Sequence, residues 1–273
     1  MTSQYRFTIL GCGSSGGVPR IGNVWGECDP KEPRNRRKRC ALMVERVASD
    51  GGRTKVLIDS GPDMRQQLLD ADVGNLDAVL YTHAHADHIH GIDDLRQIAI
   101  HNWRRVPVYM DAMTSERARA AFGYCFSAPP GSGYPPILSE HRLKPGEAVT
   151  IEGEGGPITA LPIEVNHGEI KALGFRIADV VYMPDVKAIP EESVSMLEGL
   201  DTWIVDALRP RNHPSHFSLE DALGWIERMK PRRAVVTNLH LDLDYYQLVA
   251  TLPEGVSPAF DGMQIEVAAH AEA

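Results

Sequence analysis

Short apolar runs rich in β-branched residues recur along the chain, set apart by turn-forming and charged segments. The runs at 5–10, 41–47, 55–58, 78–81, 106–109, 158–165, 180–183, 203–205 and 234–236 predict strands, since short apolar stretches bounded by breakers fit buried strands. Apolar positions repeating every three or four residues predict helices over 92–101, 115–122, 191–197, 218–230 and 245–252. Strands dominate the first half and alternate with helices in the second. That order points to the α/β class, a layered sandwich rather than a strict βαβ repeat. No internal repeat or linker interrupts the pattern, so a single domain over 1–273 is expected. The Gly/Pro stretch 130–136 reads as a loop, with a lid as one reading of it.

Composition changes this picture little. At 43% hydrophobic and 24% charged, the chain matches an ordinary globular protein, and no apolar run approaches the roughly 20 residues that span a bilayer. The N-terminal MTSQYRFTIL lacks the features of a secretory leader, and four scattered cysteines make no disulfide framework, so a cytoplasmic setting is expected. The net charge of −9 argues against a nucleic-acid partner. One local exception is KEPRNRRKR (31–39), with six basic residues in nine. It reads either as a solvated loop or as a rim that attracts an anionic, phosphorylated substrate.

The chemistry concentrates in THAHADHIHG (82–91). Four of the eleven histidines fall within eight positions there, directly after the apolar run DAVLY and before a helical pattern. His83 and His85, two apart in an extended stretch, project to the same side. Asp87 and His88 follow at the turn into the helix. Imidazole and carboxylate without thiolate suit a hydrolytic metal site better than a structural one. His90 gains no role of its own.

The H-x-H-x-D-H pattern is the signature of the metallo-β-lactamase superfamily. The chain resembles the phosphodiesterase branch of that superfamily, in particular the phosphoribosyl cyclic phosphate phosphodiesterases of the carbon–phosphorus lyase pathway. The likeness also covers ILGCGSSGGVPR (9–20), LIDSGPD (57–63), VNHG (165–168), YMPD (182–185), HPSHFSLEDAL (213–223), TNLH (237–240) and FDGM (260–263). It implies a four-layer αββα sandwich and two divalent metal ions, zinc or manganese. His83, His85 and His167 would hold one metal, Asp87, His88 and His240 the other, and Asp185 would bridge them. His216 would clamp phosphate or protonate the leaving oxygen, with Asp206 orienting it; His213 is the neighbouring candidate. Asp59 reads as a support for a ligand imidazole or as a turn aspartate.

Two metals at close range can acidify a shared water, supplying a nucleophile without serine or cysteine. The expected function is therefore a binuclear phosphodiesterase acting on a small phosphorylated ribose or nucleotide, cyclic or linear, with no membrane partner; a homodimer is common among such proteins. The alternatives are an RNA-processing nuclease of the same superfamily, a lactamase or thioesterase, and a non-catalytic metal-binding protein of cofactor biosynthesis. The Gly-rich loop 11–17 matches neither the P-loop nor the dinucleotide spacing and reads as a tight turn with Ser14 and Ser15 available to phosphate. The chain departs from the resemblance at the cysteines. Cys28 and Cys40 stand where a structural zinc would be held, yet its companions are replaced by Glu27 or Asp29 and by Leu243, so that zinc is not expected. Cys12 and Cys125 read as small buried residues.

Overall fold

The computed structural model describes residues 3–128 and 130–269. They divide into two compact units, one from the described parts of 1–8, 41–159 and 264–273, the other from 9–40 and 160–263.

In the first unit β1 (Gln4–Gly11), β2 (Ala41–Val47), β3 (Arg53–Ile58), β4 (Ala78–Leu80), β5 (Val106–Met110), β6 (Leu138–Arg142) and β14 (Gln264–Ala268) form a sheet in the order β14-β1-β2-β3-β4-β5-β6. β14–β1 and β2–β3 pair antiparallel, and β3 to β6 run parallel. Its helices are α1 (Met64–Asp70), α2 (Ala86–Ile89), α3 (Leu95–Asn102) and α4 (Ala112–Phe126). The middle strands are apolar on consecutive residues, not alternate ones: Val56, Leu57, Ile58 and all of β4 are buried. Strands covered on both faces read this way. Asp111 caps α4 by accepting from Thr114 N at 2.8 Å.

The second sheet runs β13-β12-β11-β10-β9-β8-β7, from β7 (Val149–Ile151), β8 (Ile158–His167), β9 (Ile170–Ile177), β10 (Val180–Met183), β11 (Thr202–Asp206), β12 (Arg233–Thr237) and β13 (Val256–Pro258). β8, β9 and β10 are antiparallel, and β10 to β13 are parallel. The helices α5 (Glu191–Val194), α6 (Leu219–Met229) and α7 (Tyr245–Thr251) belong to the second unit. α6 opens with a capping box, Asp221 N to Ser218 Oγ at 3.1 Å and Ser218 N to Asp221 Oδ2 at 3.0 Å. Its Ala222 and Ile226, one turn apart, join Trp203, Val205 and Val236 in the core.

Every expected strand and helix is present. Five strands (β6, β7, β9, β13, β14) and the helices α1 and α2 were not expected. β6 reads LSEHR and β14 QIEVA, too polar to register as apolar runs, and both lie at sheet edges. The basic stretch 31–39 is mostly structural. Arg34 pairs with Glu32 at 2.6 Å and stacks over Tyr245 at 4.2 Å, and Arg36 lies over Trp25 at 5.1 Å. Lys38 pairs with Asp261 at 3.7 Å. Arg37 is buried and donates to Leu243 O at 2.8 Å, Asn35 Oδ1 at 3.2 Å and His240 O at 3.3 Å. Arg39 instead lines a cavity. The 130–136 loop contributes Ser132, Tyr134 and Pro135 to a cavity of about 460 Å³ walled also by Ile100 and Tyr124. Among the described residues no helix is long and apolar enough to cross a membrane.

Candidate metal centre

In the first unit, β4 delivers the chain to Thr82, and α2 begins four residues later. His83 and His85 point to the same side, their rings 4.6 Å apart, and the His83 and His88 rings are 4.3 Å apart. Asp59, fully buried at the end of β3, organises the group. Its carboxylate accepts from Thr82 N at 2.8 Å, from Thr82 Oγ1 at 2.8 Å and from His88 Nδ1 at 2.7 Å. Burial pushes its carboxyl above the ordinary range, and the His88 imidazole opposes that shift. With Nδ1 engaged, His88 presents Nε2, which lies 3.4 Å from Asp87 Oδ2.

Main-chain bonds fix this arrangement. Ser60 N donates to His88 O at 2.9 Å and Gly91 N to Ser60 O at 2.8 Å. The approach is so close that a Cβ on Gly61 would sit 2.0 Å from Asp87 O, which explains the glycine in LIDSGPD. His90 lies outside the group, edge-on to Phe122 at 5.7 Å.

In the second unit, His167 ends β8, and its Nδ1 donates to Ser215 O at 2.6 Å. That leaves Nε2 3.6 Å from Asp185 Oδ2. Asp206, buried at the end of β11, accepts from Val186 N at 3.0 Å and from His216 Nδ1 at 2.8 Å. Asn238 donates to Asp185 Oδ1 at 3.2 Å and to Asp206 Oδ1 at 3.1 Å, joining the two carboxylates. Burial raises the Asp206 carboxyl, against the pull of His216. His213 packs beside His216, ring centroids 5.1 Å apart, and burial lowers its imidazole below the usual histidine range. His240 has other partners: its Nδ1 lies 3.1 Å from Asp242 Oδ2 and 3.3 Å from Asp242 N, and its Nε2 lies 2.6 Å from Arg20 Nη2.

The first unit thus gathers His83, His85, Asp87 and His88, and the second gathers His167, Asp185, Asp206 and His216. Sequence reasoning left Asn238, Thr82, Arg20 and the Ser215 carbonyl without roles. Asn238 has a φ of +60°, which asparagine tolerates better than most residues, but only the fold discloses that conformation. The others act through main-chain atoms or distant partners, which residue type does not reveal. The cysteines are dispersed: Cys28 Sγ lies 3.5 Å from Leu243 O, and Cys40 Sγ 3.6 Å from Gly13 O.

The donor chemistry fits divalent cations. Two ligands about 2.1 Å from a tetrahedral ion stand about 3.4 Å apart, close to the His88–Asp87 and His167–Asp185 separations of 3.4 and 3.6 Å. Each of these histidines also has its other nitrogen held by a protein oxygen, the arrangement that fixes a ligand imidazole.

Comparison with known proteins agrees. Residues 54–238 match the model of the beta-lactamase superfamily domain. A solved structure described as a new diphosphatase from the PhnP family is 34% identical, with 98% of each chain covered and a TM-score of 0.85. An octanoyltransferase of Porphyromonas gingivalis is 32% identical over 95% of this chain, which spans about half of that protein's length (51%). Coenzyme PQQ synthesis protein B of Methylobacterium nodulans is 26% identical over 72% of this chain and 71% of its own. The chain has the α/β metallo-β-lactamase sandwich fold expected from its sequence, and it belongs to the beta-lactamase superfamily as a metal-dependent hydrolase resembling the PhnP family.

Proposed function

We propose that the chain hydrolyses phosphoester linkages in a small phosphorylated ribose or nucleotide, using two divalent metal ions, zinc or manganese. In this reading His83, His85 and His167 hold one metal, Asp87, His88 and His240 hold the other, and Asp185 bridges them. Bound there, the cations would acidify a water and neutralise charge on the phosphoryl group.

The observation that carries the reading is the buried hydrogen-bond chain Asp185–Asn238–Asp206–His216. His216 Nδ1–H donates to Asp206, so a second proton on Nε2 makes an imidazolium that Asp206 stabilises. That proton is available to a leaving oxygen. Asp206 is itself held by Val186 N–H and Asn238, which keeps the ring in one orientation. The 34% identity to a diphosphatase supports phosphoryl chemistry, and the intact donor set favours hydrolysis over a purely metal-binding role.

The test is release of p-nitrophenol from bis-p-nitrophenyl phosphate. It should require added metal and fall at least about a hundredfold in Asp185→Ala. His216→Ala should slow esters of poor alcohol leaving groups by about two to four orders of magnitude, and p-nitrophenyl esters much less. Equal losses on both would remove His216 as the acid. Absence of metal-dependent turnover across cyclic and linear nucleotide and sugar phosphates would remove the reading itself.

A further inference from the structure

We propose that the cavity walled by α3, α4 and the 130–136 loop binds a neutral planar heterocycle of the nucleobase kind, carried by a nucleotide substrate or by a free nucleoside. The site stands on the cavity itself; only a role in substrate binding rests on the phosphoesterase reading.

All of its walls lie in the first unit. α3 supplies Arg96 and Ile100, α4 supplies Tyr124, and the chain beyond α4 supplies Tyr134, Pro135 and Ile137. The volume, about 460 Å³, falls in the range of small-ligand sites. Main-chain bonds set the walls. Ile137 N donates to Cys125 O at 2.9 Å and Val106 N to Ile137 O at 2.9 Å, which pins the end of the loop to α4 and β5. Ser132 Oγ accepts from Tyr134 N at 3.1 Å and donates to Tyr134 O at 3.3 Å, so this hydroxyl serves the loop. Asp93, the partner of Arg96, stands two residues beyond the 82–91 segment, so this wall continues the stretch that carries His83 to His88.

The chemistry of the walls narrows the occupant. Among the described residues no carboxylate lines the cavity, which argues against a cation. Its one guanidinium is already matched, since Arg96 Nη2 lies 2.6 Å from Asp93 Oδ1. A paired guanidinium in a chain of net charge −9 draws anions weakly, so the cavity does not select phosphate. What remains is aromatic and aliphatic area with polar tips. Tyr124 and Tyr134 are 48% and 77% exposed, and Ile100 is 56% exposed. A tyrosine offers a ring face for stacking and a hydroxyl for hydrogen bonding. The guanidinium, held in one plane by Asp93, keeps further N–H donors for a ring nitrogen or carbonyl. A wholly apolar chain would leave these polar groups unmatched. A planar ring with a polar edge satisfies both kinds of wall, and each stacked base gains about five- to a hundredfold in affinity.

Calorimetric titration with adenosine, ribose and hexanol tests the site. Adenosine should bind at least about tenfold tighter than either of the others. Ribose matching adenosine would remove ring recognition, and hexanol matching it would make this a site for an apolar chain; either result overturns the proposal. Tyr134 is exposed, so its substitution spares the core. Tyr134→Ala should weaken adenosine at least about fivefold, and Tyr134→Phe, which keeps the ring, less than about twofold. No loss in Tyr134→Ala, or equal losses in the two variants, would also overturn it. Adenosine monophosphate separates the two sources. A ring that belongs to the substrate predicts a monophosphate at least about fivefold tighter than adenosine in the metal-loaded chain and no tighter in the metal-stripped one. Equal affinities in both states assign the site to a free nucleoside. A chain that hydrolyses phosphoesters yet binds no adenosine rejects this inference alone. One that binds adenosine yet hydrolyses no phosphoester rejects the phosphoesterase reading and keeps the site.

Discussion

Asn238 holds two buried carboxylates with one amide, and it does so from a left-handed backbone conformation. Removing the amide leaves Asp185 and Asp206 each short of a donor, at a cost of about 2–3 kcal/mol. Asn238→Gly tests this cleanly because glycine keeps the positive φ without strain. Urea unfolding should show that loss, and Asn238→Ala should lose about 1 kcal/mol more from the backbone term. A loss below about 1 kcal/mol in the glycine variant would mean the amide matters little. Asp261 behaves differently. It accepts from Cys12 N at 3.1 Å and Lys38 N at 2.8 Å, yet burial pushes its carboxyl from 3.8 up to about 6. A raised carboxyl favours the protonated form on folding. Its contribution is therefore fully present below pH 3.8 and is lost as pH rises through about 6. About two pH units correspond to about 3 kcal/mol. Urea midpoints measured from pH 4 to 7 should show wild type losing ground to Asp261→Asn across that window, and parallel profiles would refute the assignment.

Elements differ in how far their sequences disclose them. The strands that lead to the proposed ligands were legible because each is a short apolar run soon followed by a polar residue of metal-binding type: β4 before His83, β10 before Asp185, β12 before His240. The single-turn helix α2 was not separable from the pattern starting at Ile92, since four residues carry no periodicity. β6 and β14 escaped because edge strands need not be apolar. The basic stretch 31–39 misleads in a different way. Its charge suggests a substrate rim, but Arg34, Arg36, Arg37 and Lys38 spend theirs on aromatic, carbonyl and carboxylate partners within the second unit. Nothing in a charge run distinguishes these uses, because several of the partners (Tyr245, Leu243, Asp261) lie more than 200 residues away and the near ones, such as Trp25, carry no mark of the contact. At this scale the tightest constraint is the turn after β3 against α2. Gly61→Ala would drive a methyl into Asp87 O, so it should cost about 2–3 kcal/mol in urea unfolding and loosen metal binding together. A variant with wild-type stability and metal affinity would show that this contact is slack.

For the whole molecule, the chain passes between its two units four times, and the proposed ligands divide between them: His83, His85, Asp87 and His88 in one, His167, Asp185 and His240 in the other. The two-metal reading is the central claim from which the proposed roles of His216 and Asp206 follow. Metal content by inductively coupled plasma mass spectrometry, after loading with manganese or zinc and removal of unbound ion, tests it most directly. The account predicts about two ions per chain, falling to about one or fewer in Asp185→Ala. One ion or fewer in the wild-type chain would contradict it.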